Sequence, residues 1–332
     1  MRFIFYLIFL IFFSCSSKDN NVLVYNSGEA QGSYYHIKYM SDNGLDYHSD
    51  IDSIFMKVDS SLSIYKKYSL ISRLNSGEIF KTDSLFNIVF NAAKRVYIET
   101  EGNFDCSVTP LINAWGFYKE ILGDSIVVDS TKFRSILNYV GFDKIQLIRD
   151  SLLLPEKMSL DFNSIAQGFT VNLIASHLED RDVRNYLIEV GGEILAKGKN
   201  DDGEIWKIGV DKPNEFIDSG NRFQFILNLE DKALATSGNY RKFYEINGVK
   251  YSHMINPFTG FPTRNNLLSV TVIHDDCMLA DAYATSFMVM GVKQTKRYVG
   301  KNPEIEIYLI YTGEDGNWRT YISPNMKKRI VN

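Results

Sequence analysis

Segments with strand character and segments with helix character follow each other irregularly along this chain, and this order restricts the possible folds. A hairpin is predicted over NVLVYNSGEAQGSYYHIKYM, and helices over IDSIFMKVDSSLSIY and SLFNIVFNAAKRVYIET. Strands are predicted over KIQLI, SLLLP, NYLIEVGGEILAKG, WKIGVD, LLSVTVIHD and IEIYLIYT, the last as the final strand. Because no regular βαβ alternation occurs, an α+β fold with mixed, largely antiparallel sheets and packed helices is predicted.

Four stretches carry more specific predictions. LDFNSIAQGFTVNLIASHLED should begin as a strand and continue as a helix, and FQFILNLEDKALATSGNY should be a strand followed by a glycine-containing turn. TEGNFDCSVTPLINAWGF should be loop-rich because it contains Gly102, Pro110 and Gly116. LADAYATSFMVMG should be a helix from Leu279 to Gly291.

The N-terminus has the pattern of an export signal. One arginine precedes an apolar run of eleven residues, Phe3 to Phe13, which is too short to span a bilayer and is followed by Ser14 and Cys15. This pattern resembles a bacterial lipoprotein signal, in which the cysteine is lipidated; the alternative is a short uncleaved anchor. We therefore expect a signal peptide over 1–14, a lipid-anchored tether over 15–24 and the main domain over 25–332, on the periplasmic side of the inner or outer membrane.

Charge and cysteine content exclude several classes of function. The formal net charge is −4 and no dense basic run occurs, so nucleic acid is not an expected partner. Beyond Cys15, only Cys106 and Cys277 remain, which is too few for a disulfide framework. Neither CxxC nor HExxH occurs and the five histidines are scattered, so a zinc site is not expected.

Asp281 and Thr285 lie four residues apart in the predicted apolar helix and therefore share one face of it. A carboxylate and a hydroxyl are oxygen ligands that suit Mg²⁺, which completes its shell with water and substrate phosphate. The alternative is a helix start, in which Asp281 complements the helix dipole and Thr285 bonds back to a carbonyl. The stretch alone leaves both interpretations open.

Two glycine-containing junctions could admit a ligand. In LDFNSIAQGF, Asp161 and Asn163 precede Gly168, where backbone groups could meet a phosphate or a metal. In LIEVGGEI, a glycine pair inside a strand pattern precedes Glu193 and indicates a bulge or a close approach. An N-capped helix and a plain turn are the respective alternatives.

Two polar loops could contribute to a site. His253, in SHMINPFTG, could bind phosphate or act as an acid or base, or could be an ordinary surface histidine. In FDCSVTPLINAWGF, Asp105 and Thr109 lie among aromatic residues that could hold a flat ring, or the loop could simply dock on the core.

In order along the chain, these stretches resemble the ApbE-type FAD:protein FMN transferases, also called the flavin transferase or thiamine-biosynthesis lipoprotein family. The matching stretches are GEAQGSYY, SIYKKYSLISRLN, FDCSVTPLINAWGF, LDFNSIAQGF, GGE, ATSGNY, HMINPFTG and ADAYAT. The resemblance implies a tunnelling-fold-like flavin transferase architecture over 25–332. It also implies a magnesium site formed by Asp281, Thr285 and the backbone carbonyl of Ser164.

The same resemblance implies the remaining site residues. His253 and Asp281 are the candidate catalytic bases, and the FAD-binding residues are expected to be Gln31, Ser63, Tyr65, Asp105, Thr109, Gln167, Asn172, Glu193, Ser237 and His253. Four positions differ from the commoner family residue: Gln167 replaces Lys, Gln31 replaces Met, and Asn172 and Asn256 replace Asp. The uncharged Gln167 implies weaker FAD binding or greater reliance on the metal.

The implied reaction is Mg²⁺-dependent transfer of FMN from FAD to a threonine hydroxyl of an acceptor protein, with release of AMP. The implied acceptors are subunits of membrane redox pumps and extracellular flavoproteins. A Mg²⁺-dependent FAD pyrophosphatase and a non-enzymatic flavin-binding lipoprotein remain the alternatives.

Overall fold

The structure is a computed structural model that describes residues 21–117, 130–212, 223–239, 243–246, 249–252 and 254–331. The expected signal peptide and Cys15 lie outside these residues. Strands and helices are numbered in chain order below.

A large antiparallel sheet forms the centre of the fold. It contains β1 Asn21–Ala30, β2 Ser33–Asp42, β5 Tyr186–Val190, β6 Glu193–Lys197, β9 Lys232–Gly238, β12 Leu267–His274, β13 Glu306–Thr312 and β14 Trp318–Ile322. These eight strands are ordered β1-β2-β5-β6-β9-β12-β13-β14, and every neighbouring pair is antiparallel. Residues 21–24, assigned to the tether from the sequence, pair in β1.

The other described strands form three small antiparallel sheets. A three-stranded sheet contains β7 Trp206–Asp211, β8 Phe223–Leu229 and β15 Ile330–Val331. The two-stranded sheets are β3 Gln146–Ile148 with β4 Ser151–Leu153, and β10 Phe243–Ile246 with β11 Val249–Ser252.

The helices are α1 His48–Leu62, α2 Leu70–Asn75, α3 Ser84–Glu99, α4 Thr109–Trp115, α5 Ser130–Ile136, α6 Ala166–Glu179, α7 Cys277–Lys301 and α8 Pro324–Lys327. Two 3-10 turns cover Leu137–Tyr139 and Phe142–Lys144. In the described part of the chain, no helix has the length and apolar character needed to cross a membrane. The expected α+β fold with largely antiparallel sheets is confirmed.

The central sheet is covered on both faces because its strands alternate their side chains. In β9, Ala233 and Ala235 pack with the helical side, whereas Leu234 packs with the three-stranded sheet. On the helical side, α6 packs against β6, which carries Glu193, and α7 packs against β9, which carries Ser237. This arrangement places the candidate site between the helices and the central sheet.

Three local predictions are wrong, because the structure of each segment depends on residues elsewhere in the chain. Leu160 is not in a strand; both its backbone N–H and its carbonyl bond the side-chain amide of Asn75, each at 2.8 Å. ALATSG is strand β9, not a turn, because it fills a central position of the sheet. IEIYLIYT is not the final strand, since β14 and β15 follow it.

Two helix boundaries also differ from the predictions. Pro110 lies in the first turn of α4 and Gly116 is its left-handed C-cap at φ 77°, so these residues delimit a helix where a loop was expected. Gly291 does not end the apolar helix; it forms a kink at φ 72° inside α7. Phe287 and Met288 of this helix are buried in the core, and Met290 is partly buried against it.

Candidate active site between two helix starts

The first turns of α6 and α7 touch through Gly168. A Cβ atom at this position would lie 2.4 Å from the carbonyl oxygen of Cys277. Asn172 connects the same helices, because its Nδ2 donates to Asp276 Oδ1 at 2.7 Å and its Oδ1 accepts from Cys277 N at 3.2 Å. Gly168 therefore admits a neighbouring helix, and the amide of Asn172 is used to hold that helix in place.

Asp281 is buried where these helices meet, with 6% of its surface exposed. It lies in the second turn of α7, and Asp276 caps the helix by accepting from Leu279 N at 3.1 Å. The helix-start interpretation of Asp281 is therefore wrong for its own helix. Instead, Asp281 Oδ2 accepts a hydrogen bond from Gly168 N at 3.2 Å, at the positive end of α6. Burial raises the pKa of the Asp281 carboxyl to about 7, and this hydrogen bond opposes the shift.

Glu193 is a second buried carboxylate beside Asp281. It is also 6% exposed, and among the described residues none donates a hydrogen bond to its Oε2. Burial raises the pKa of the Glu193 carboxyl well above its ordinary value, and the charge of Asp281 raises it further. Two acids are thus held in one apolar environment.

Three other expected residues lie around this pair. Ser237 Oγ and Thr285 Oγ1 are 3.4 Å apart, which joins β9 to α7 one turn beyond Asp281. Ser164, in the turn before α6, lies beside the buried thiol of Cys106, and the pKa of this thiol is raised by burial and by Asp105, Asp161 and Asp281. The structure therefore brings the three expected metal ligands, Ser164, Asp281 and Thr285, to the region around Cys106 and Asp281.

Gln167 belongs to the first turn of α6, and Gln31 contacts the same helix from the turn after β1. The Gln167 amide lies against Gly191, where a Cβ atom would be 2.3 Å from Nε2. Gln31, in the turn after β1 at φ 54°, donates from Nε2 to Thr170 Oγ1 at 2.8 Å, while its Oε1 is buried with no partner among the described residues. The glycine pair is therefore the two-residue turn between β5 and β6, as the alternative interpretation expected, and of the two glycines only Gly191 is closely approached.

Tyr65 borders the turn before α6. Asn163 Nδ2 donates to Tyr65 OH at 3.1 Å, and Asn163 N donates to Asp161 Oδ1 at 2.8 Å. Tyr65 remains 67% exposed, so its ring is accessible to a ligand. Ser63 ends α1, and its backbone N–H bonds Asp59 O at 3.2 Å.

Asp105 is held by its own loop. Its Oδ1 accepts from Ser107 N at 2.7 Å and from Ser107 Oγ at 2.6 Å, and its Oδ2 accepts from Phe142 N at 3.3 Å. These bonds favour a structural role for the carboxylate. Thr109 is buried at the start of α4, and its Oγ1 has no partner among the described residues.

His253 lies outside the described residues, but the turn that follows it is described. Asn256 Oδ1 accepts from Phe258 N at 2.9 Å and from Thr259 N at 3.1 Å, and Gly260 N bonds Asn256 O at 2.9 Å. Asn256, at a position where the family commonly has Asp, thus organises this turn through its side-chain oxygen.

Sequence reasoning missed two residues near the site. Asn75 fixes Leu160 just before Asp161, and Cys106 lies among Asp161, Ser164 and Asp281. The SLISRLN and FDCSV motifs contained both residues, but the residues that they contact are distant in sequence, so the motifs alone did not point to them.

The residues present fit a hard divalent cation. The donors are carboxylate, hydroxyl and carbonyl oxygens, and Glu193 Oε2, close to Asp281, has no hydrogen-bond donor among the described residues. In the described part of the chain, no group of three His, Cys, Asp or Glu side chains is arranged to hold a metal. A site here would therefore use hydroxyl or backbone oxygens as well as carboxylates.

The fold and this site define an α+β protein with a buried acidic centre between a central antiparallel sheet and two helix starts. A sequence model of the ApbE family matches residues 31–309, and the chain belongs to this family.

Characterised relatives and solved structures agree with this membership. The FAD:protein FMN transferase of Vibrio cholerae is 36% identical over 313 residues, which cover 92% of each chain, and that of Haemophilus influenzae is 34% identical over 306 residues, which cover 87% of each. The flavin transferase ApbE structure from V. cholerae covers 93% of this chain and 99% of its own, with a TM-score of 0.82 and 34% identity. The apo flavinyl transferase ApbE of Pseudomonas stutzeri has a TM-score of 0.83 and 27% identity, covering 93% and 97%. The flavin transferase architecture expected from the sequence is thereby confirmed.

Proposed function

We propose that this protein transfers FMN from FAD to a threonine hydroxyl of an acceptor protein, with Mg²⁺ as its cofactor. The threonine oxygen forms a bond to the FMN-side phosphorus, the bond from that phosphorus to the bridging oxygen breaks, and AMP leaves. The observation that carries this proposal is the buried Asp281 beside the Ser237–Thr285 pair, in a chain of the ApbE family.

Asp281, Thr285 and the carbonyl of Ser164 would hold the cation. When bound, Mg²⁺ would neutralise the pyrophosphate charge that otherwise repels an incoming oxygen. The protein keeps its carboxylate ligand away from water: Asp281 is buried, and its Oδ2 is oriented by Gly168 N. A ligand that is oriented before substrate arrives needs no rearrangement during the reaction.

Gln167, Gln31 and Tyr65 support FAD binding from the surrounding surface. Gln167 offers a neutral amide at the helix start, where a phosphate can accept hydrogen bonds. Tyr65 offers an exposed ring against which a flat ligand can pack. Because Gln167 carries no charge, the cation must neutralise more of the negative charge of the pyrophosphate than it would if a lysine stood at this position.

The threonine proton must pass to a base, and His253 and Asp281 are the two candidates. Histidine has an ordinary pKa near 6.5, and burial brings the pKa of Asp281 to about 7, so each can exchange a proton near neutral pH. A carboxylate that binds the cation is a poorer base, which favours His253.

Mass spectrometry of an acceptor protein incubated with FAD, Mg²⁺ and this protein tests the proposal. Covalent FMN on a threonine, with AMP released, is the expected result. Free FMN with AMP would instead identify a pyrophosphatase, and unchanged FAD would identify a flavin-binding protein without activity. Subunits of membrane redox pumps and extracellular flavoproteins are the acceptors to test first.

We also propose that lipid on Cys15 anchors the protein outside the cytoplasm, at the periplasmic side of the inner or outer membrane. The apolar run that ends directly before Cys15 supports this location. Labelled palmitate should enter the wild-type protein and not Cys15→Ser. Equal labelling of both proteins would show that Cys15 is not the lipidated residue.

A further inference from the structure

Glu193 is a buried acid of the site, and one of its carboxylate oxygens has no hydrogen-bond partner among the described residues. It is the first residue of β6, directly after the glycine pair, and burial leaves 6% of its surface exposed. Its Oε2 finds no hydrogen-bond donor among the described residues. A buried carboxylate oxygen without a partner is costly, so its position needs a compensating group.

The charged groups around Glu193 increase this cost. Asp281 and Glu189 are the groups that act on it electrostatically, and both are acids. Cys277 Sγ lies 3.6 Å from Ile194 O, so the start of β6 touches α7 one turn before Asp281. The two buried carboxylates therefore belong to one enclosed site, with no described lysine or arginine to compensate them.

A divalent cation would satisfy both acids together. Two carboxylates provide two negative charges, which match Mg²⁺ or Mn²⁺ without any contribution from substrate phosphate. A site with a single carboxylate depends more strongly on the phosphates of the bound nucleotide. The number of carboxylates thus determines whether the cation can bind before FAD.

We propose that Glu193 is a further ligand of the cation held by Asp281, and that this pair loads the cation before FAD binds. This inference rests on the proposed cation site and adds to it a ligand and an order of binding. The glycine pair supports the assignment, because Gly191 allows Gln167 to lie against the backbone that presents Glu193.

Mn²⁺ binding to the FAD-free full-length protein, followed by electron paramagnetic resonance, tests the proposal. Wild type should bind one ion, and Glu193→Gln should weaken binding by at least about 10–100-fold, because the loss of an outer-shell partner alone typically costs that much and a coordinating carboxylate contributes more. Glu189→Gln is the matched control: it removes a carboxylate from the same hairpin and should bind as wild type does. Equal affinity of Glu193→Gln and wild type would overturn the proposal.

Thermal unfolding separates a ligand from a merely structural residue. In chelator, Glu193→Gln should unfold at no lower temperature than wild type, because Glu193 Oε2 has no hydrogen bond to a described residue that the substitution could remove. With Mn²⁺ added, wild type should gain stability and Glu193→Gln should gain much less. A variant that is less stable in chelator and gains as much as wild type would assign Glu193 a structural role and overturn the proposal.

Repeating the titration with FAD present separates the order of binding from the existence of the cation site. Binding only with FAD would overturn cation loading before FAD while leaving the proposed cation site intact. No binding with or without FAD would overturn the cation site itself, and with it the role of Glu193.

Discussion

The indole of Trp115 donates a hydrogen bond from Nε1 to the carbonyl oxygen of Gly260 over 2.9 Å. This bond joins the end of α4 to the turn that follows His253. The Trp115 ring also stacks on Phe133 with a centroid separation of 4.3 Å, in a small apolar cluster of its own. The turn is therefore attached to the body of the protein through one buried donor and its packing.

Trp115→Phe should test the contribution of that donor. The phenyl ring keeps most of the packing, but the buried Gly260 carbonyl loses its partner, which costs about 1–3 kcal/mol of unfolding free energy. Urea unfolding measures the loss. Trp318→Phe, at a site that is 55% exposed, should change little; equal losses in the two variants would contradict the prediction.

Gly191→Ala should weaken FAD binding, whereas Gly192→Ala should not. Both glycines have positive φ, at 67° and 107°, so both substitutions lower stability. Only at Gly191 would the new methyl group meet Gln167, with nothing within 4 Å of it at Gly192. Calorimetric FAD titration of both variants measures the difference, and matching affinities would show that Gln167 does not bind FAD from its present position.

Asp281→Ala should abolish flavin transfer, and Thr285→Val should raise the Mg²⁺ concentration needed for half-maximal rate. A charged ligand contributes more than a neutral hydroxyl, so the first loss should be the larger. Ser286→Ala is the matched control, because its buried hydroxyl has no partner among the described residues. Full activity of Asp281→Ala in chelator would rule out the metal role.

His253→Ala should mainly reduce turnover if His253 is the base. The loss of a general base commonly lowers the rate on the order of 10²–10⁴-fold. A phosphate-binding histidine would instead lower FAD affinity and leave the rate at saturating FAD. Steady-state rates at several FAD concentrations separate these outcomes, and no change in either would identify an ordinary surface histidine.

The unfolding free energy should depend on pH through Asp105. Burial raises the pKa of this carboxyl above 3.8, although Ser107 and Phe142 donate to it, and Lys94 and Asp143 are its charged neighbours. A raised pKa means that the folded state holds the proton longer, so this stability is complete below about pH 3.8 and is lost as pH rises through the folded pKa. Wild type should therefore lose stability relative to Asp105→Asn as pH rises above about 4. Parallel profiles from urea unfolding would contradict this assignment.

Local sequence patterns correctly predicted the elements whose main contacts are with residues nearby in the sequence. The hairpin of β1 and β2 and the helix α3 follow directly from alternation and from helical spacing, because their main partners are adjacent in sequence. Family resemblance implied a site around Asp281; in the structure, Thr285 lies one turn further along α7 and Ser164 lies beside Cys106.

Contacts between distant segments account for most of the errors. Helix α7 continues past the kink at Gly291. Asn265, from another segment, caps the part of the helix before the kink, because its Nδ2 donates a hydrogen bond to Met288 O at 2.8 Å. Leu160 looks like a strand residue, but a side chain 85 residues earlier satisfies its backbone. The local sequence pattern around Gly291 or Leu160 does not include these distant partners, and it also gave no sign that Glu193 Oε2 would lack a donor among the described residues.

The position of β1 has a consequence for where this protein can work. Strand β1 begins at Asn21, so a lipid on Cys15 would leave six backbone steps, about 20 Å when fully extended, between membrane and sheet. With so short a tether, the protein would sample only a thin layer above the bilayer. An acceptor embedded in the same membrane is concentrated in that layer, whereas a freely diffusing one must enter it, so anchoring alone would favour membrane acceptors without any added contact.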